Sequence, residues 1–260
     1  MRDGCGVDIV LCIDVTGSMS PVLEKVKKGA LSFHQRLESV MVKRGMAMGR
    51  LRLRVIAFRD FGSDGDRSIE RTPFLELPQQ VKEFKDFVNA LKATGGGDAP
   101  ESGLEALALA VQSPWSRKER GGAERHIVVM FTDAAAHPLG KHTPGWQRAP
   151  LASRTRSWLG RRRGERDAGP ASGLVPVPGY DGDVYPRSLD ELHEQWGRPG
   201  HDGAVMDQSA KRLLLFAPEA EPWRDLAETW DKTLFVSSRA GTGLEAIALD
   251  EVISTIARSL

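Results

Sequence analysis

"VDIVLCIDVTGSMSP", residues 7–21, sets the reading of the whole chain. Its first seven residues form a short, β-branched, near-continuous apolar run, the pattern of a strand buried on both faces. The run then ends in Asp14, with hydroxyls following at Thr16, Ser18 and Ser20. Three uses fit such an end: a helix cap, a nucleophile, or a seat for a cation. Ser20 ahead of Pro21 suits the first, as an N-cap with proline at the first helical position.

From Pro21 the period changes. Val22, Val26, Ala30, Phe33 and Leu37 recur every three or four residues, which predicts an amphipathic helix to about Val42. "LRLRVIAF" (51–58) predicts a second strand. "RSIERTPFLEL" (67–77) predicts an edge strand, because Pro73 has no N–H to give a central ladder. Helices are expected over 79–92 and 100–112, either side of the loop "ATGGGDAPES". "RHIVVMFTDAAA" repeats the opening theme: a buried strand, 126–132, that ends in Asp133. Strands at 211–218 and 233–238, followed by helices at about 220–230 and 244–259, complete the alternation. Such alternation predicts an α/β fold, a Rossmann-like open and mostly parallel sheet with helices on both faces and one antiparallel edge strand. Right-handed crossovers put the ligand site at the carboxyl ends of the strands, where Asp14 and Asp133 both fall.

One stretch departs from this rhythm. Residues 140–204 are rich in Gly, Pro, Arg and Trp and weak in periodicity. Between Lys141 and Asp167, Lys141, Arg148, Arg154, Arg156, Arg161, Arg162, Arg163 and Arg166 face only Glu165 and Asp167. The expectation is a single domain over 1–260 with 140–204 as a basic insertion, since so long a structureless piece is usually functional or disordered. The net charge of +1 over 260 residues gives no global sign of nucleic acid or membrane as partner. No apolar run reaches the ~20 residues that span a bilayer, and the start does not read as a signal peptide. Cys5 and Cys12 would sit roughly 20 Å apart along one strand, too far for a disulfide. A reducing, cytoplasmic setting is the expectation.

A hard cation such as Mg²⁺ takes about six oxygens and commonly keeps a position open for a ligand. Alternate residues on a tight turn, Asp14-x-Thr16-x-Ser18, can aim three oxygens inward, with Gly17 letting the backbone bend. "DVTGSMS" resembles the D-x-S/T-G-S-M-S signature of von Willebrand factor type A (VWA) domains and their metal-ion-dependent adhesion site (MIDAS). "VVMFTDA" is similar to the family's later strand with its distal aspartate, here Asp133, and "TGGGDAPES" to the loop that presents a metal-binding threonine. The resemblance spans roughly 5–138 and, more weakly, 205–258.

The resemblance implies a Rossmann-like sheet and Mg²⁺ (or Mn²⁺) held by Thr16 and Ser18, with Asp14 and Asp133 binding directly or through water. It also implies binding of a partner's Asp or Glu without catalysis, in an intracellular assembly with an ATPase or chaperone-like partner. Where the family has G-G-T, this chain has Gly95, Gly96, Gly97 and Asp98. Either Asp98 replaces the threonine or Thr94 reaches in from upstream. Similarity to the subgroup found beside α-kinase domains favours Asp98. Thr94, Ser20 and Glu101 remain as auxiliary candidates.

Other readings compete with these. Asp98 and Glu101 also suit the N-terminus of the helix near Pro100, and Asp60 in "AFRDFGSDGD" reads as a solvated turn. His137 and His142 suggest zinc only weakly, with no cysteine beside them. Arg154, Arg156, Arg161, Arg162 and Arg163, with Trp146 and Trp158, would suit a nucleic-acid-binding adaptor. A metal-dependent phosphohydrolase with Asp14 as nucleophile is the third class. Thr16 stands where such enzymes carry a second aspartate, and neither a G-x-S-x-G elbow nor a phosphate-binding G-x-x-x-x-G-K-[ST] loop occurs.

Overall fold

The structure, a computed structural model, describes residues 5–29, 33–45, 48–64, 67–96, 100–117, 124–139, 185–198, 202–238 and 249–259. The opening apolar run becomes β1 (Cys5–Asp14), the interior of the sheet. Its odd residues Val7, Ile9, Leu11 and Ile13 enter one core and its even residues Val10 and Cys12 the other. Full burial of each such side chain contributes about 1.5–3 kcal/mol, so both faces of this strand hold helices onto it.

On one side β1 pairs in parallel with β2 (Met48–Phe58) and on the other with β5 (Glu124–Phe131). β6 (Lys211–Pro218) and β7 (Thr233–Ser238) extend the parallel ladder beyond β5. The chain therefore winds outward in opposite directions from β1, and the switch between β1 and β5 opens a crevice at their carboxyl ends. Helices α1 (Ser20–Gly29), α2 (Phe33–Lys43), α4 (Val81–Ala90) and α8 (Leu249–Ser259) pack against the odd face. The other face takes α5 (Gly103–Val111), α6 (Leu189–Trp196) and α7 (Trp223–Thr229).

The structure revises or refines several of the expectations. The helix foreseen over 21–42 is described as α1 and α2, with 30–32 outside the described residues. Ser20 is not its cap: φ −49° and ψ −44° place it inside the helix, after a 3-10 turn over Gly17–Met19.

The edge strand is two strands, β3 (Ile69–Arg71) and β4 (Leu75–Leu77), both antiparallel to β2 with the register shifted by one residue between them. Pro73 lies in the shift, where no ladder N–H is required. Thr72 closes the gap: its N–H donates to Val55 O and its Oγ1 accepts from Val55 N, both at 3.0 Å.

Asp60 is no solvated turn but a buried side chain capping the four-residue α3 (Phe61–Asp64), where it accepts from Gly62 N (3.1 Å) and Ser63 Oγ (2.9 Å).

Within the stretch read as an insertion, 140–184 lie outside the described residues, but α6 is ordinary core. Its Leu192 and Trp196 are fully buried. Ser188 accepts from Glu191 N (3.1 Å), Glu191 accepts from Arg187 N (2.8 Å), and Gly197 at φ +109° ends the helix. Buried Lys211 holds that end to the sheet, donating to Trp196 O (2.9 Å) while paired with Asp231 (2.7 Å).

Candidate metal centre

β1 delivers Asp14 to the crevice fully buried, and the turn behind it hydrogen-bonds the carboxylate. Oδ1 accepts from Thr16 N (2.9 Å) and Thr16 Oγ1 (2.6 Å), and Oδ2 accepts from Thr132 Oγ1 (2.8 Å) at the end of β5. Burial pushes the Asp14 carboxyl up to about 6; the hydrogen bonds from Thr16 and Thr132 pull it down, and the charge of Asp133 raises it further. Ser18 lies exposed on the 3-10 turn, and its Oγ donates to Asp133 Oδ1 (3.0 Å) across the switch point.

These contacts answer whether the donor set suits a cation. A hydroxyl that ligates a metal must turn its proton elsewhere and offer a lone pair. Thr16 and Ser18 both do so, each handing its proton to a carboxylate from the same crevice. Hydroxyl oxygens and carboxylates are the hard ligands that Mg²⁺ or Mn²⁺ takes. Asp14, Thr16, Ser18 and Asp133 are thus brought together as the sequence indicated.

Glu101 belongs here rather than at a helix start. It forms an isolated parallel bridge with Ala136, with Glu101 N donating to Ala135 O (2.9 Å) and His137 N to Glu101 O (2.8 Å). Helix α5 begins only at Gly103, and Ser102 Oγ accepts from Phe61 N (3.0 Å) to bring α3 alongside. The Glu101 side chain is 5% exposed, and its Oε2 has no hydrogen-bond partner. Burial, and then the charges of Asp14, Asp60, Asp64 and Asp133, push its carboxyl up to about 9. Among the described residues, this edge of the sheet therefore gathers carboxyl groups that oppose one another's ionisation.

The loop after α4 comes down onto the same turn. Thr94 N donates to Val15 O (3.0 Å) and Gly17 N to Gly95 O (3.4 Å). Gly96 N donates to Asp64 Oδ2 (3.2 Å), and a Cβ on Gly96 would meet Thr16 Cβ and Glu101 Oε1 at 2.9 Å. Gly95 and Gly96 take φ of +82° and +74°, a region that favours glycine. Thr94 itself is exposed and enters these contacts through its backbone. Asp98 lies outside the described residues, as do Arg154, Arg156, Arg161, Arg162, Arg163 and His142.

His137 is buried with Nε2 3.7 Å from Asp60 Oδ1. Among the described residues no three His, Cys, Asp or Glu side chains converge into a metal cage of their own, which leaves the zinc reading without a site there. The sequence reading does not name Thr132 or Asp64; it names Asp60, which follows the end of β2 as Asp14 closes β1, but as a solvated turn.

No protein-family model matches the chain. Among curated proteins, the α-protein kinase vwkA of Dictyostelium discoideum is 26% identical over 137 residues, which are 53% of this chain and 20% of the kinase. Among solved structures, the pilus adhesin SpaC from Lactobacillus rhamnosus GG superposes with a TM-score of 0.50 at 11% identity, over 97% of this chain and 30% of the adhesin. Proximal thread matrix protein 1 of the mussel byssus, one of whose structures has a zinc-occupied MIDAS motif, reaches 0.46 at 12% identity, over 98% of this chain and 48% of that one. That last overlap is too loose to carry anything across. The chain thus spans a small part of the proteins it is similar to. Sheet order, antiparallel edge and flanking helices make the fold VWA-like. Among the described residues no helix is long and apolar enough to cross a membrane.

Proposed function

We propose that this chain is a metal-assisted protein-binding module: Asp14, Thr16, Ser18 and Asp133 hold Mg²⁺ or Mn²⁺, and a partner protein supplies an Asp or Glu to the same site. The observation that carries this reading is the pair of hydroxyl–carboxylate contacts, Thr16 to Asp14 and Ser18 to Asp133, converging from two adjacent strand ends. A bound cation would supply positive charge and an open position for a carboxylate. Asp14 and Thr16 orient the turn, and Ser18 stands at its exposed tip, within a partner's reach. Glu101, Asp60 and Asp64 surround the site with carboxylates, which favours a cation and disfavours an acidic partner in its absence.

Asp98, two positions along the chain from Gly96, is the residue we assign to the position of the family's threonine, ahead of Thr94. Two free thiols, Cys5 and buried Cys12, support a reducing cytoplasmic setting. Likeness to a kinase-linked relative supports a role inside a larger assembly, with an ATPase or chaperone-like partner as the family pattern suggests. The binding reading is favoured over a phosphohydrolase because Thr16, hydrogen-bonded to Asp14, stands where such enzymes carry a second aspartate.

The test is calorimetric titration of Mg²⁺ and Mn²⁺ into metal-free protein, beside Asp14→Asn and Ser18→Ala variants. Saturable binding by the parent, weakened at least about tenfold in both variants, is the expected result. A natively folded parent that takes up neither ion at millimolar concentration would sink the proposal. With binding in hand, capture of an acidic-peptide library with and without chelator checks the partner's chemistry.

A further inference from the structure

Two buried residues outside the donor set reach the candidate metal centre from behind: Thr132 at the end of β5 and Trp223 at the start of α7, 1% and 0% exposed. Thr132 N donates to Phe216 O (3.0 Å), so the backbone stays in the sheet and the side chain is left for the crevice. The hydroxyl has one proton, and Asp14 Oδ2 at 2.8 Å is a nearer acceptor than Ala134 O at 3.4 Å. The same oxygen accepts from Ala134 N (3.2 Å). One hydroxyl thus ties the carboxylate that ends β1 to the turn that carries Asp133.

Trp223 holds the other side of that turn. Its Nε1 donates to Ala134 O (2.8 Å), and the next carbonyl, Ala135 O, accepts from Glu101 N (2.9 Å). The indole also lies against the first residue of α5, where a Cβ on Gly103 would fall 2.7 Å from its Cζ2 and 2.9 Å from its Cη2. Trp223 therefore touches both the Asp133 turn and the segment that follows Glu101. A run of hydrogen bonds crosses from α7 to the end of β1: Trp223 Nε1 to Ala134 O, Ala134 N to Thr132 Oγ1, and Thr132 Oγ1 to Asp14 Oδ2.

The groups that orient metal ligands matter to affinity almost as much as the ligands do. Asp14 Oδ1 is held by Thr16, which belongs to the same turn and moves with it. Thr132 holds Oδ2 from the neighbouring strand, and so fixes the carboxylate relative to β5 and Asp133. Without that bond the carboxylate can swing about its Thr16 contacts and lose its placement opposite Asp133.

We propose that Thr132 and Trp223 are positioning residues of the candidate metal centre: Thr132 fixes the Asp14 carboxylate, and Trp223 holds the Asp133 turn through Ala134. The inference rests on the metal reading above and adds to it the residues that hold the ligands rather than the ion.

Calorimetric titration of Mg²⁺ and Mn²⁺ into the metal-free full chain, beside urea denaturation of each variant in EDTA, tests it. Thr132→Val keeps the shape, removes the hydroxyl, and should weaken metal binding at least about tenfold. Thr132→Ser restores the hydroxyl and should stay within about threefold of the parent. Trp223→Phe, further from the carboxylate, should weaken binding about three- to tenfold. Val128→Ala supplies the control, a fully buried change on the same strand about 13 Å from Thr132. It should lower the urea midpoint and leave metal affinity within about twofold of the parent. Thr132→Val binding as tightly as the parent, or Thr132→Ser falling as far as Thr132→Val, would overturn the assignment of Thr132. Unchanged binding by Trp223→Phe would overturn that of Trp223. An equal loss of affinity in Val128→Ala would overturn both, since any weakening of the fold would then suffice. A parent that binds neither ion takes down the metal reading and this inference with it, a result distinct from variants that match a binding parent. Should Thr132→Val or Trp223→Phe not fold, Thr132→Ala and Gly103→Ala, which presses on the indole, replace them with the same expected losses.

Discussion

Asp8 and Asp14 sit on the same strand, β1, and both are 0% exposed, yet their surroundings treat them in opposite ways. At the amino end, burial pushes Asp8 up, but hydrogen bonds from Arg52 and Ser116 and the charge of Arg52 outweigh it, and the carboxyl is held below its ordinary value. Arg52 grips it with two nitrogens, Nε at 2.7 Å and Nη2 at 2.5 Å. At the carboxyl end Asp14 has only neutral donors, and burial leaves it at about 6 beside Asp133 and Glu101. One end of the sheet is neutralised within the chain. The other gathers carboxyl groups that oppose one another's ionisation, and a cation from outside is the partner that we propose.

The largest expected effect separates these two aspartates. Asp8→Asn should cost about 3 kcal/mol of stability, since it strands a partly buried guanidinium. Asp14→Asn in metal-free protein should cost less than about 1 kcal/mol, because the amide keeps the acceptor for Thr16 and Thr132 Oγ1 can reverse its role. Urea denaturation of both variants in EDTA makes the measurement, and equal losses would break the comparison.

Acidity gives the next effect, of opposite sign at the two ends. Asp14 rises from 3.8 to about 6 on folding, so the native state binds its proton more tightly. That contribution is full below about pH 4 and is lost as pH climbs through 6, at most about 3 kcal/mol at 1.36 kcal/mol per unit. Glu101, pushed up to about 9, acts in the same direction over a higher window. Asp8, held low, contributes fully above about pH 4 and loses its share only as pH falls through its lowered value. Metal-free protein should therefore be most stable near pH 4–5 and weaken toward pH 8, and millimolar Mg²⁺ or Mn²⁺ should flatten the decline. A denaturation midpoint that rises from pH 5 to 8 in EDTA would contradict this.

Smaller effects sharpen the carboxyl end. Gly96→Ala places a Cβ against Thr16 and Glu101 at φ +74°, whereas Gly45→Ala, at φ +72°, meets nothing within 4 Å. Both carry the backbone strain of about 1 kcal/mol, and Gly96→Ala should add a further ~1 kcal/mol together with weaker metal binding. Thermal melts of the pair isolate the contact. Ser18→Ala, at an exposed position, should change stability by less than about 0.5 kcal/mol while lowering metal affinity, so its titration and its melt should disagree.

Much of this was legible in the chain because it is local. An uninterrupted β-branched run marks a strand covered on both sides, and an aspartate closing two such runs marks the edge where a parallel sheet binds ligands. Asp14 and Asp133 follow from those two facts, whereas Thr16 and Ser18 come from the alternate spacing on the turn and the resemblance carried by "DVTGSMS". Helix α6 escaped because about two turns of helix are too short to show a period, although "SLDE" (188–191) carries the spacing of a capping box in plain view. Pro73 excluded a central strand, but that Thr72 would supply the missing acceptor to Val55 depends on a partner strand seventeen residues away.

What the sequence determined by itself is therefore the strand–helix alternation, the α/β class and the hydroxyl-rich turn after Asp14, since each rests on residues near one another along the chain. Only the tertiary structure decided how charge is shared between the two ends. Whether a buried aspartate is held low or driven up depends on whether the neighbouring strand brings an arginine or a threonine to it. Arg52 lies 44 positions from Asp8, and Thr132 lies 118 from Asp14. Electrostatics in a low-dielectric interior depends on distance through space, and that distance exists only once the sheet has formed.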